Sequence, residues 1–270
     1  MSGAKAWTRP LRQVFGWLAG RPSLMLLTAS DERLAQAPPG RFAFAWVGLL
    51  SASLAWGALT TVLWGAAWFV FTEPAGVLFT PVAVTAAAIL LGPFRRAAVA
   101  LAEALVPRDA TARALAVSVV AAVLILALLG VRTHQYHSEN LLPGWLAWVR
   151  PVGEPHRVLL LMPLWGGWAM LIAGQLARVN EQTEPAVRAF VRGCGPVSAA
   201  GSMALPAALT WLEFQFLSGW EWTIAGTAAL VGILAGGLLP RLTGGLKRRS
   251  LLAVNLATQL AFLLAYLANR

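Results

Sequence analysis

Ala114-Leu-Ala-Val-Ser-Val-Val-Ala-Ala-Val-Leu-Ile-Leu-Ala-Leu-Leu-Gly130 decides the fold class. The stretch carries no charge, and with its flank it spans 112–130, close to the length a helix needs to cross roughly 30 Å of hydrocarbon. A strand of a membrane barrel would alternate apolar and polar residues, whereas this run is continuous. Comparable runs recur at about 42–71, 75–92, 157–177, 195–212, 222–240 and 250–268. The sequence therefore predicts an all-α, polytopic integral membrane bundle with about seven transmembrane helices over residues 42–270. Residues 1–41 interleave Lys5, Arg9, Arg12, Arg21, Arg33 and Arg41 with Trp7, Phe15 and Trp17. That pattern predicts a cytoplasmic segment lying in the membrane interface.

Composition agrees. Only 12% of the 270 residues are charged and 58% are hydrophobic, with a mean hydropathy of +0.67. A soluble domain carries roughly a quarter charged residues. The formal charge of +10 is of the size that nucleic-acid binders show. In a membrane protein, however, cationic loops are the ordinary topology signal, so no nucleic-acid partner is expected. Cys194 is the only cysteine, which excludes a disulfide framework and a CxxC metal site.

The loops set the expected orientation. Counting 1–41, 93–111 with Arg113 at the edge of the following span, 178–192 and 241–249 as cytoplasmic places 17 of the 21 Lys/Arg residues inside and leaves Arg132, Arg150, Arg157 and Arg270 outside. The acids divide almost evenly, so the asymmetry lies in the cations, as the positive-inside rule requires. The expected location is the cell inner (cytoplasmic) membrane, with the N-terminus cytoplasmic. Trp64, Trp68, Trp145, Trp148, Trp211, Trp220 and Trp222 fall near the outer boundary, where an aromatic belt would sit.

Three groups of residues could carry chemistry. Thr133-His-Gln-Tyr-His-Ser-Glu139 offers His134 and His137, which on a helix would face one way and could hold zinc or copper with Glu139 as third ligand. The same residues also read as a polar loop, because HxxHxE lacks the specificity of HExxH. Gln175, Asn255 and Gln259 are the polar residues within the predicted spans, with Asn255 and Gln259 on one face of the last helix. Such side chains either hydrogen-bond another helix or line a substrate path. No Asp, Glu, Lys or Arg is expected deep in a span, and Glu213 and Glu221 are expected near the interface. Gly232-Ile-Leu-Ala-Gly236 is a GxxxG, expected to let a second helix approach closely.

The C-terminal stretch Gly244-Gly-Leu-Lys-Arg-Arg-Ser-Leu-Leu-Ala-Val-Asn-Leu-Ala-Thr-Gln-Leu-Ala-Phe262 resembles the last signature of the cobalamin synthase family, roughly GGxTGDxLGAxxxLxELxxxL. These membrane enzymes join a nucleotide-activated cobinamide to an α-ribazole. Pro163-Leu-Trp-Gly-Gly-Trp-Ala-Met170 is similar to the family's P-x-x-G-R-W-A, with Gly167 in place of Arg. Ala177-Arg-Val-Asn-Glu181 and Val47-Gly-Leu-Leu50 are weaker similarities. The resemblance implies a metal-holding, Asp-rich cytoplasmic motif after the second span. Here that stretch is Phe94-Arg-Arg-Ala-Ala-Val-Ala-Leu-Ala-Glu-Ala104, with Glu103 its only acid, and the family's Gly-Asp pair is replaced by Arg248-Arg249.

Divalent cations of this kind require oxygen ligands, so arginines in their place invert the field. The expectation is a divergent, non-catalytic member of that scaffold. It would bind an anionic or lipid-like ligand, or a membrane partner, through Arg95, Arg96, Arg178, Arg248 and Arg249. The alternatives are an active transferase on a phosphorylated substrate and a channel or transporter subunit. Membrane lipids are the expected surroundings. A membrane-protein partner or a second copy is left open by the sequence, and no cofactor is assigned.

Overall fold

The computed structural model describes residues 45–71, 75–91, 94–106, 109–133, 154–180, 183–214 and 220–269. The expected interfacial segment 1–41, and the candidate metal ligands His134, His137 and Glu139, lie outside the described residues. Among those described, the chain is all-α: α1 (Ala45–Val70), α2 (Ala75–Leu91), α3 (Phe94–Leu105), α4 (Ala110–Thr133), α5 (Glu154–Leu176), α6 (Pro185–Cys194), α7 (Pro196–Gly201), α8 (Ala204–Phe214), α9 (Trp220–Leu242) and α10 (Arg248–Ala268). Five of these, α1, α4, α5, α9 and α10, are long and apolar enough to cross a membrane, and α2 is a shorter apolar helix.

Helix α5 is the hub, packing against α1, α9 and α10. Of its most apolar stretch 83% is buried, against 22% of α4, whose side chains instead form the outer apolar face. Without a hydrophobic driving force between helices in lipid, such packing depends on close backbone approach. Glycines supply it. A Cβ on Gly57 of α1 would stand 2.5 Å from the Leu160 carbonyl oxygen of α5, and one on Gly236 of α9 would stand 3.0 Å from the Ala173 Cα. The expected GxxxG is thus an internal packing seam, since Gly232 also faces Trp168 and Ala169 of α5.

The stretch 195–212, expected as one continuous helix, is instead broken into α7 and α8 at Ser202-Met203. The reason is Pro206. It has no N–H to donate to the carbonyl of Ser202, and its ring crowds that carbonyl. The chain answers with tighter turns, Met203 N–H donating to Ala200 O and Leu205 N–H to Ser202 O. Two buried tryptophans of α5 tie the broken pieces down. Trp168 Nε1 donates to Ala199 O at 3.2 Å and Trp165 Nε1 to Thr210 Oγ1 at 2.9 Å.

The two ends of this broken segment lie at opposite ends of α5. Gln175, near the end of α5, donates to Val191 O of α6 at 3.2 Å, while Arg157, near its start, pairs with Glu213 of α8 at 3.5 Å. Residues 196–214 therefore run along α5 from its Gln175 end towards its Arg157 end.

Candidate functional site

The end of the bundle that holds α3 is built from the starts of two helices and one glycine turn. Alanines make α3 able to nestle on its neighbours: Ala97, Ala98, Ala100, Ala102 and Ala104 are buried together with Leu101, and α3 packs on α10 and α4. Its opposite face leaves Arg95 and Arg96 exposed in the first turn. Helix α10 begins at Arg248-Arg249, with Ser250 at the third position locking the start. Its hydroxyl donates to Lys247 O at 2.6 Å and accepts the Lys247 N–H at 2.9 Å. The turn before it uses Gly244 and Gly245 at φ 73° and 121°, conformations that L side chains rarely adopt.

Between these two helix starts lies a cavity of about 470 Å³, lined by Arg95, Arg96, Glu103, Arg248, Arg249 and the apolar Val99, Ala100 and Leu252. Four of the five predicted anion-binding arginines thus converge, from segments about 150 residues apart. Arg178 does not join them. It lines a separate cavity of about 430 Å³ with Asn180, Arg241 and Gly245.

Among the described residues, Glu103 is the only acid lining the arginine cavity. Its Oε2 lies 3.1 Å from Arg249 Nη1 and its Oε1 lies 3.3 Å from Arg113 Nη1 of α4, so one carboxylate bridges three helices. On its far side is a third cavity, of about 250 Å³, lined by Glu103, Arg113, Lys247 and Arg249.

The intramembrane polar residues divide into two groups. Gln175 is spent on the Val191 carbonyl, as above. Asn255 Nδ2 donates to Met170 Sδ at 3.4 Å and Gln259 Nε2 donates to Asn255 Oδ1. Gly166 of α5 sits directly on this pair, a Cβ there falling 2.9 Å from Asn255 Nδ2. No hydrogen bond joins Gln175 to the other two. Gly167, where the resemblance implies Arg, is pressed against α1: a Cβ there would stand 2.2 Å from Ser53 Oγ.

The sequence reading missed a buried charge cluster at the other end. Arg157 and Glu213 are 7% and 3% exposed at their side chains, with Arg157 Nη1 also donating to Glu213 O at 3.2 Å. Glu221 and Arg132 are buried as well, and Arg132 stacks its guanidinium 3.1 Å from the Trp68 ring centroid. Glu213 and Glu221, expected near the interface, stand at the end of α8 and the start of α9 with their side chains buried. Trp64 is also buried rather than part of a surface belt, while Trp211, Trp220 and Trp222 are exposed.

Among the described residues no three His, Cys, Asp or Glu side chains converge as metal ligands would. Comparison with protein-family models, curated proteins and solved structures gives no match.

Proposed function

We propose that this is a non-catalytic inner-membrane protein of seven crossings, on a scaffold like that of the cobalamin synthases, which binds a phosphate-bearing anion at its cytoplasmic end. The observation that carries the reading is the placement of Arg95, Arg96, Arg248 and Arg249 around one cavity at two helix N-termini. A helix start carries roughly half a positive charge and has N–H groups without intrahelical partners, which favours anions there and disfavours cations. Neither helix has an acid in its first turn. An exposed arginine so placed, as Arg95, Arg96 and Arg249 are, costs about 0.3–1 kcal/mol. Arg248 is buried beside them, and an anion in the space would meet all four. Arginine matches phosphate bidentately, so no metal is required.

Three further points support the finer parts of the reading. The crossing made by α7 and α8 together raises five long helices and α2 to seven passages. With the arginine end cytoplasmic, this number agrees with the distribution of Lys/Arg. The stretches 94–104 and 244–262, which carry the cytoplasmic motifs in the resemblance, line one cavity, as a common site requires. An active transferase would want converging carboxylates, and among the described residues this cavity offers Glu103 alone.

The test is direct binding by the full chain in detergent, followed by native mass spectrometry and thermal shift with phosphatidic acid and with inorganic phosphate as probes. Replacing Arg95, Arg96, Arg248 and Arg249 together by Gln is expected to lower affinity at least tenfold. Arg178→Gln is expected to change it less than twofold, as a single cation outside the cavity. Equal loss in both variants would show general surface charge to be responsible and would end the proposal.

A further inference from the structure

The Glu103–Arg249 pair stands between two cavities. Those of about 470 Å³ and 250 Å³ share Ala100, Glu103 and Arg249, and each adds cations of its own. Arg95 lines only the first, while Arg113 and Lys247 line only the second. Ligand pockets usually run to about 300–1,000 Å³, so the smaller cavity is short of a site in itself but suits one end of a ligand held in the larger. The partition between them is low. The side chain of Arg249 is 68% exposed, so a ligand passes over it rather than through it. The partition also survives such a ligand. Glu103 takes one nitrogen of Arg249 at 3.1 Å and one of Arg113 at 3.3 Å, and a guanidinium has five N–H donors in a planar fork. Further donors of both arginines are left for phosphate oxygens while the carboxylate stays in place. Standing between the two seats, that carboxylate holds apart the anions that occupy them. A ligand filling both therefore needs a spacer between its phosphates.

From this geometry we infer that the two cavities are the two seats of one site, which takes a ligand bearing two phosphate groups separated by a short carbon spacer. One phosphate lies with Arg95 in the larger cavity and the other with Lys247 and Arg113 in the smaller, and Arg249 serves both. The inference rests on the anion-binding reading above and names the ligand class for that site. Leu252 in the one cavity and Leu242 in the other put apolar surface beside each seat, suited to the carbon between and around the phosphates. A lipid with two phosphates and a soluble bisphosphate share this chemistry, and each has its own arm in the test.

The soluble arm uses the full chain in mild detergent with methylphosphonate, methylenebisphosphonate and 1,4-butylenebisphosphonate. The two bisphosphonates carry the same acid groups and differ only in the spacer. The lipid arm uses the full chain in phosphatidylcholine nanodiscs containing cardiolipin, in which a glycerol joins two phosphodiesters, or twice as much phosphatidylglycerol, so that phosphate and charge are matched. A spanning probe, butylenebisphosphonate or cardiolipin, is expected to bind about tenfold or more tightly than methylenebisphosphonate or phosphatidylglycerol respectively, because its second contact is intramolecular. The arm that shows the difference identifies the source. Lys247→Gln is expected to weaken the spanning probe by about two- to fivefold, the range of one exposed ion pair, and to change methylphosphonate and phosphatidylglycerol by less than about twofold. Its backbone bond to Ser250 is retained, so the start of α10 stays intact. Lys247→Arg should keep the preference. Spanning probes that bind no more tightly than their partners, while methylphosphonate or phosphatidylglycerol still binds, overturn the second seat and leave the anion site standing. A loss in Lys247→Gln shared equally by the one-phosphate probes overturns the second seat too, as does no loss at all. Binding of none of the probes overturns the anion site itself.

Discussion

Removing the carboxylate of Glu213 should destabilise the bundle by about 2–4 kcal/mol, and removing Arg157 with it should restore most of that. The pair sits at 3.5 Å with side chains 7% and 3% exposed. At an effective dielectric near 20, two unit charges at that distance attract by about 5 kcal/mol. Glu213→Gln forfeits this and leaves a buried guanidinium, a change that typically costs about 3–5 kcal/mol. The loss is softened because Arg157 Nη1 also donates to the backbone carbonyl of residue 213, at 3.2 Å, and that bond survives the substitution. The double variant Arg157→Met, Glu213→Leu leaves no buried charge at the pair and replaces both groups by apolar side chains of similar volume. Equilibrium unfolding of the wild type, Arg157→Met, Glu213→Leu and the double variant in mild detergent, titrated with a denaturing detergent, gives the three free-energy changes of the cycle. A coupling energy of about 2 kcal/mol or more is expected from the cycle. Single variants each costing under about 0.5 kcal/mol, or strictly additive effects, would refute the reasoning, since the pair would then be as well solvated as a surface one.

Two further outcomes follow from individual positions. Burial disfavours the Cys194 thiolate and pushes its thiol up to about 11. At pH 8 only about one thiol in a thousand is then ionised, so maleimide labelling followed by mass spectrometry should run roughly a hundredfold slower than for a free cysteine, and accelerate about tenfold per pH unit. Labelling at the rate of a free thiol in the folded protein would contradict the burial. Gly57→Ala should cost about 1–3 kcal/mol, because its Cβ would meet the Leu160 backbone, which cannot swing aside as a side chain can. Gly226→Ala, with nothing within 4 Å, should be neutral or gain up to about 1 kcal/mol from helix propensity. Equal effects at the two glycines would mean that α1 and α5 are not in backbone contact.

The helices were legible where hydrophobic length alone decides them. The run ending at Gly130, and those that became α1, α5, α9 and α10, are read directly from the absence of charge over a membrane's width. Residues 195–212 were misread because hydropathy is blind to the missing N–H of Pro206, and because the compensating bonds from Trp165 and Trp168 join positions 31 and 45 residues away in the chain. The site was partly legible. Arginine at 95, 96, 248 and 249 is conspicuous in sequence, but that the two pairs share a cavity is a tertiary fact carried by the alanine face of α3. The Arg157–Glu213 pair was hidden for a different reason. Each residue lies within a few positions of a helix end, where a charge ordinarily meets water, and only the fold turns both inward.

Cations on the cytoplasmic side of a membrane protein are commonly attributed to topology, and the positive-inside rule counts them all alike. The helix dipole separates them. Arg192 and Arg241 lie in the last turns of α6 and α9, and Arg178 lies two residues past the end of α5. There the partial charge is negative, and a guanidinium is stabilising whether or not any ligand is present. Arg95, Arg96, Arg248 and Arg249 stand at the other kind of terminus, where the same rule makes them unfavourable. A topology signal would have been met equally well by arginines in the loops between. Orientation and local electrostatics thus account for Arg178 in full, which is why it is the control in the binding test. They do not account for the placement of four arginines at two helix starts around one cavity, where the partial charge favours an anion. Glu103, half-buried and shared with Arg113, pairs with Arg249 in its wall.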